Sequence, residues 1–205
     1  MGKKNPTHYL GASADPKASP PRDLPEIAIA GRSNVGKSTL LNALVGERVA
    51  RTSRTPGRTQ LLHFVSYRKK SVLVDLPGLG YADVPKAVQR KIEMMARNTV
   101  RHRESLRGLM ILIDIRRKPG EEESALLADA LEAGLQVMII ATKADQIPKH
   151  RRKPAIQQLR DWSGLNRNQT IAASAKEGRG LENVHQRLSE WVQTFEEAPA
   201  EEPEP

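Results

Sequence analysis

Residues Gly31–Ser38 read GRSNVGKS, a match to the phosphate-binding pattern G-x-x-x-x-G-K-[ST]. Gly31 and Gly36 leave out the Cβ atoms that would block a turn whose amides converge on an anion. Lys37 offers a point charge to the β- and γ-phosphates, and the Ser38 hydroxyl offers a ligand to Mg²⁺. Arg32, Ser33, Asn34, Val35 and Thr39 complete the stretch expected against the nucleotide. The flanks decide the fold: Glu26–Ala30 (EIAIA) alternates like a strand, and Lys37–Val45 (KSTLLNALV) is helical. A strand, a glycine loop and a helix whose N-terminus faces the phosphates make a nucleotide-binding α/β unit.

Working outward, the strand-like Ser71–Asp75 ends in DLPG, Asp75-Leu76-Pro77-Gly78. A carboxylate at that strand end can help hold the magnesium, and the Gly78 amide can meet the γ-phosphate. A third string, TKAD at Thr142-Lys143-Ala144-Asp145, follows the apolar strand Gln136–Thr142. Asp145 can accept the ring N–H and the exocyclic amine of guanine, which adenine cannot supply, and the stem of Lys143 can cover the purine face. SAK at Ser174-Ala175-Lys176 closes the base pocket, with the Ala175 amide toward the guanine carbonyl. Alone, DLPG could be a plain turn and TKAD a solvated loop, but the three strings in this order name GTP and GDP as ligands.

With GRSNVGKSTL, TPGRTQLLHF at Thr55–Phe64, DLPGLGYA at Asp75–Ala82, TKAD and SAK, the chain resembles the EngB (YihA/YsxC) family of bacterial GTPases, in the group with TrmE, Era and EngA. The resemblance implies a role in assembling the large ribosomal subunit and a requirement in cell division and septation. It also implies that the switch segment Gly57, Arg58, Thr59, Gln60 and Leu61 contacts GTP. Thr52, Thr55 and Thr59 all lie where a switch threonine must fall, and the resemblance favours Thr59, with Ser38 and Asp75, as a magnesium ligand. Leu79 stands where related enzymes place a water-orienting Gln, so intrinsic hydrolysis is expected to be slow. Asn34 resembles an asparagine that helps bind K⁺ in some relatives, and equally suits a left-handed loop position.

Strands are predicted at 26–30, 60–67, 71–75, 108–114, 136–142 and 169–173, and helices at 36–45, 84–103, 121–133, 149–162 and 180–195. The alternation predicts an α/β, three-layer P-loop GTPase fold (a G domain): a mostly parallel six-stranded sheet with helices on both faces. The short basic turn Arg68–Lys70 predicts one antiparallel pair. Residues 1–23 read as an irregular extension, 24–195 as the G domain and 196–205 as an acidic, disordered tail. Without the tail's five glutamates, the formal charge of the 205-residue chain rises from +9 to +14.

The chain has no cysteine, so disulfides and thiolate metal sites are excluded. Its five histidines show no ligand spacing, and no apolar run spans a bilayer. A cytoplasmic monomer with no membrane contact is expected. Basic residues concentrate in Arg48–Arg58, Arg68–Lys70, Lys86–Arg107 and Lys149–Lys153, which points to a surface facing a polyanion such as RNA, and the resemblance implies that the RNA is that of the large-subunit precursor. Only 3% of residues are aromatic, so phosphate contact is favoured over base stacking, and both tryptophans read as packing anchors. Two functions remain open: a slow GTPase that assists subunit assembly, or a GTP-gated RNA- or ribosome-binding module with incidental hydrolysis.

Overall fold

Short runs of Val, Ile, Leu and Ala form the sheet that organises the computed structural model, which describes residues 9–15, 24–49, 61–80 and 84–197. The strands are β1 (Tyr9–Ser13), β2 (Glu26–Gly31), β3 (Leu62–Tyr67), β4 (Ser71–Asp75), β5 (Leu106–Asp114), β6 (Gln136–Thr142) and β7 (Thr170–Ala172). The helices are α1 (Lys37–Val45), α2 (Lys86–His102), α3 (Glu121–Glu132), α4 (Lys149–Ser163) and α5 (Leu181–Glu197). The strand order is β1-β3-β4-β2-β5-β6-β7. β4, β2, β5, β6 and β7 run parallel, while β3 pairs antiparallel with both β1 and β4.

The sheet has seven strands among the described residues where six were predicted, because Tyr9–Ser13 adds an edge strand within the stretch read as irregular. Its register shifts between Tyr9 and Gly11, and Tyr9 and Leu10 are exposed. An edge strand held by backbone bonds to β3 needs no apolar alternation, so nothing in its side chains announced it. β5 starts at Leu106 rather than 108, and α5 extends to Glu197 rather than 195. The remainder of the predicted tail, 198–205, lies outside the described residues.

Side-chain alternation along β2 divides the interior in two. Ala28 and Ala30 join the layer containing α2, α3 and α4 through Ala96, Val100, Leu126, Ile156 and Leu159. Ile27 and Ile29 join the layer of α1 and α5 through Leu40, Leu41, Val184, Leu188 and Trp191. Each Leu- or Ile-sized chain so buried contributes about 1.5–3 kcal/mol. Trp191 packs so closely on β5 that a Cβ at Gly108 would fall 2.7 Å from its ring. Trp162, half-buried against the other layer, donates its indole N–H to Ser124 Oγ at 3.3 Å. Both are packing anchors, as predicted.

Candidate functional site

The P-loop hangs from the carboxyl end of β2. A Cβ at Gly31 would stand 2.8 Å from the Leu112 carbonyl on β5, so only glycine lets the chain leave the sheet there. Gly36, at φ 100°, caps α1 in a left-handed conformation and turns its first amides into the loop. Below the loop, α1 is anchored by Leu40, Leu41, Leu44 and Val45.

Two strand ends meet this cradle. The DLPG segment is tied to it through the backbone: the Leu76 amide donates to Ile29 O at 3.0 Å, Leu79 N to Gly31 O at 3.0 Å, and Ser33 N to Leu79 O at 2.8 Å. Asp75, 4% exposed, is brought against the Lys37 ammonium. The buried Asp75 carboxylate at the end of β4 and the half-buried Ser38 hydroxyl at the start of α1 are hard oxygen donors suited to Mg²⁺, and the Lys37 ammonium beside them is a charge for phosphate oxygens. No group of three or more acidic, His or Cys ligands occurs among the described residues. Gly57, Arg58, Thr59 and Gln60 lie outside the described residues, and Leu61 is exposed.

The TKAD loop is bolted to the same cradle. Thr142 Oγ1 donates to Val35 O at 2.7 Å, and Lys143 Nζ donates to Asn34 O at 2.6 Å. Lys143 and Asn34 both adopt left-handed backbone conformations, at φ 58° and 61°. The Asp145 carboxyl lies below the ordinary carboxylate range, chiefly through a hydrogen bond from the buried Ser174 hydroxyl. That bond joins TKAD to SAK, and the Ala144 amide adds a second tie to Ala173 O at 3.1 Å. Ala175 is half-buried and Lys176 exposed.

One side chain escaped the sequence reading, and a second was read only as part of the phosphate loop. Asp114 ends β5 directly beside Thr142 in the β5–β6 register. Its carboxylate is 6% exposed, accepts two bonds from the Arg116 guanidinium at 2.8 and 2.6 Å, and pairs with Lys143 at 3.1 Å. Burial alone would raise its pKa, but these donors hold it far below the carboxylate range. Asp114 thus fixes the ammonium that supports the P-loop carbonyl; the available signal was an acid ending the strand next to TKAD. Arg32 is the second: its guanidinium lies against Gly80 and Gly120 and 3.5 Å from Glu122, linking the cradle to the DLPGLG loop and α3.

With this geometry, the comparisons with known proteins are specific. The profile of the 50S ribosome-binding GTPase family matches residues 26–143. The chain is 42% identical over 181 residues to the probable GTP-binding protein EngB of Syntrophotalea carbinolica, covering 88% of this chain and 87% of that one. This chain belongs to the EngB family. It is also 38% identical over 199 residues to probable GTP-binding protein EngB of Salmonella newport, covering 96% and 94%. A crystal structure of a probable EngB superposes with a TM-score of 0.70 at 24% identity, covering 82% of this chain and 99% of that one. Era in complex with MgGDPNP and a 16S ribosomal RNA segment superposes at 0.65 and 21% identity, over 88% and 59%, a likeness of fold. As an EngB-family member the chain binds guanine nucleotide and is a GTPase, and GTPases of this family generally carry Mg²⁺ with the nucleotide.

Proposed function

We propose that this EngB-family protein is a slow GTPase that assists assembly of the large ribosomal subunit, binding the precursor in its GTP form and leaving after hydrolysis. One arrangement carries the reading: the glycine cradle, the DLPG carboxylate and the TKAD loop meet at the carboxyl ends of β2, β4 and β6, in a family described as 50S ribosome-binding GTPases. Residues Gly31–Thr39 cradle the phosphates; Ser38, Asp75 and Thr59 hold Mg²⁺; Gly57–Leu61 and Gly78 sense the γ-phosphate. Asp145, Lys143, Ser174, Ala175 and Lys176 enclose the base. A formal charge of +14 outside the acidic tail favours an RNA-rich partner. Its site of action is the cytoplasm, as a monomer, and it is required for normal cell division and septation. No helix among the described residues is long and apolar enough to cross a membrane.

Slow turnover follows from Leu79. The side chain is 2% exposed in the core and its backbone is bonded to the P-loop, so it orients no water. Water must be placed by a partner surface or by K⁺ beside Asn34, whose backbone carbonyl Lys143 already fixes. The same observation favours the second reading, in which GTP only gates binding. Sedimentation against large-subunit precursors with a GTP analogue or GDP, paired with single-turnover hydrolysis in K⁺ or Na⁺ with and without particles, tests both. GTP-selective particle binding and particle-stimulated hydrolysis are expected. Binding without stimulation leaves the gated module, and equal rates in the two salts remove K⁺.

A further inference from the structure

The turn between β3 and β4 holds a conformation that its sequence does not favour. Arg68 and Lys69 lie at φ 53° and 58°, a left-handed pair of the type I′ kind that Asn-Gly adopts readily and long side chains rarely do. The Lys70 amide closes the turn on Tyr67 O at 3.1 Å. Residues 68–70 are exposed, and Arg68 and Lys69 make no ion pair among the described residues.

The tip is nevertheless braced. The Arg68 guanidinium lies 5.3 Å from the centroid of the Tyr67 ring and donates to Ser189 Oγ of α5 at 3.3 Å. Tyr67, buried, shares a hydrogen bond between its hydroxyl and Nδ1 of His185, whose ring stacks on it with centroids 5.9 Å apart. Burial keeps both partners neutral, lowering the pKa of His185 and raising that of Tyr67 to about 12. A strained, stacked and exposed cationic tip spends conformational freedom before any partner arrives, which is how preorganised binding groups are built.

We propose that the Arg68–Lys70 tip is a docking point for the phosphate backbone of folded RNA that works alike in the GTP and GDP states. The RNA partner rests on the ribosome-directed reading above. A guanidinium fork matches phosphate geometry, and scarce aromatics disfavour base stacking. Independence from nucleotide follows from position: β4 runs from Ser71 beside the tip to Asp75 in the cradle, about 13 Å along the strand.

The test uses the full chain and a 20-base-pair RNA duplex, read by fluorescence anisotropy between about 50 and 200 mM salt, with GDP or a GTP analogue bound. Two variants are needed: Arg68→Asn with Lys69→Gly, which relaxes the turn, and Arg68→Gln with Lys69→Gln, which keeps the strain and removes the charge. Both are expected to bind duplex about tenfold more weakly in either nucleotide state, with the salt slope reduced by about two. GTP affinity stays unchanged, and the Asn-Gly variant melts at or above the wild-type temperature. Wild-type affinity and slope in both variants overturn the proposal. So does a loss confined to the GTP state, or competition by polyglutamate but not by duplex, which marks an acidic protein partner. If the variants bind duplex normally while wild type still sediments with particles in the GTP form, the tip proposal fails and the ribosome reading stands. Wild type binding neither duplex nor particles overturns both.

Discussion

The C-terminal half of α2 and the first turn of α4 carry similar positive charge and use it in opposite ways. Arg97 and Arg101 of α2 converge on Asp129 of α3, which is 2% exposed, at 2.6 Å each. Burial would raise the pKa of Asp129, but the two guanidinium donors outweigh it and hold the carboxyl below its ordinary value. Arg103, 8% exposed, forms a two-bonded pair with Glu26 and lies 5.0 Å from the Phe64 ring centroid. Lys149, His150, Arg151, Arg152 and Lys153 of α4 make no ion pair among the described residues. They also sit at the positive end of their helix dipole, where α3 places Glu121, Glu122 and Glu123. Cations spent on carboxylates hold the fold, whereas cations placed against the dipole without countercharge are available to a partner. Within the basic stretch Lys86–Arg107, Arg103 is thus given to Glu26, while Arg97 and Arg101 share the single Asp129 carboxylate and keep one net positive charge at the surface.

The hardest test of that division is Arg103→Ala. Removing one member of a buried, hydrogen-bonded pair strands the Glu26 charge, and a loss of about 3–5 kcal/mol in unfolding free energy by urea titration is expected. A loss below about 1 kcal/mol would mean that the pair is solvated and the contrast with α4 is false.

The α4 cluster should answer in the opposite way. Changing Lys149, Arg151 and Lys153 to Glu is expected to weaken association with the large-subunit precursor at least tenfold, about 1.4 kcal/mol. Stability should be unchanged or slightly improved, since acidic residues suit a helix start. GTP affinity should hold, because Arg152, which contributes to keeping Asp145 ionised, stays in place. Undiminished particle binding would make this turn an ordinary solvated face.

Within the site, Asp114 sharpens the comparison, because it is a neutralising carboxylate that holds Lys143 against the P-loop and is expected to support binding as well as folding. Asp114→Asn should release Lys143 from its partner and weaken GTP and GDP equally, by roughly 1.5–3 kcal/mol, while guanine remains preferred over adenine. Calorimetric titration measures both affinities. If only the melting temperature falls, Asp114 is structural and does not position the base-reading loop.

These contrasts mark where the chain was readable. The cradle, DLPG and TKAD were legible because phosphate and base contacts demand fixed residue types at fixed offsets from strand ends, and the structure brings Lys37 to Asp75 and Lys143 to Asn34. The parallel strands were legible as apolar runs, since both their faces are covered. The partners of charges were not: Arg97 finds Asp129 across 32 positions, and Arg103 finds Glu26 across 77. Asp114 is an ordinary strand-end acid until β6 lies beside it. β1 was hidden because an exposed edge strand is specified by its neighbour's backbone rather than by its own pattern.

The smallest expected effect separates these regions by pH. His63 and His185 are each about half-buried, and burial lowers both pKa values below 6.5. The unfolded chain therefore takes up protons near pH 6.5 while the native chain does not, so unfolding is favoured increasingly as pH falls below that value. Their contribution is complete above about pH 6.5 and declines toward their lowered native pKa values. The Asp114 and Asp129 pairs have the same sign but a lower window: their stabilisation is full above the usual carboxylate pKa of 3.8 and disappears only in stronger acid. The arginines and lysines of α2 and α4 keep their charge through both windows. Melting temperature should thus decline gently from pH 7 to 5.5 and then more steeply below pH 4. Replacing His63 and His185 by Gln should flatten the upper decline and leave the lower one, whereas the α4 charge reversals should leave the upper decline unchanged. An upper decline that survives loss of both histidines would place the titrating group elsewhere and break the assignment.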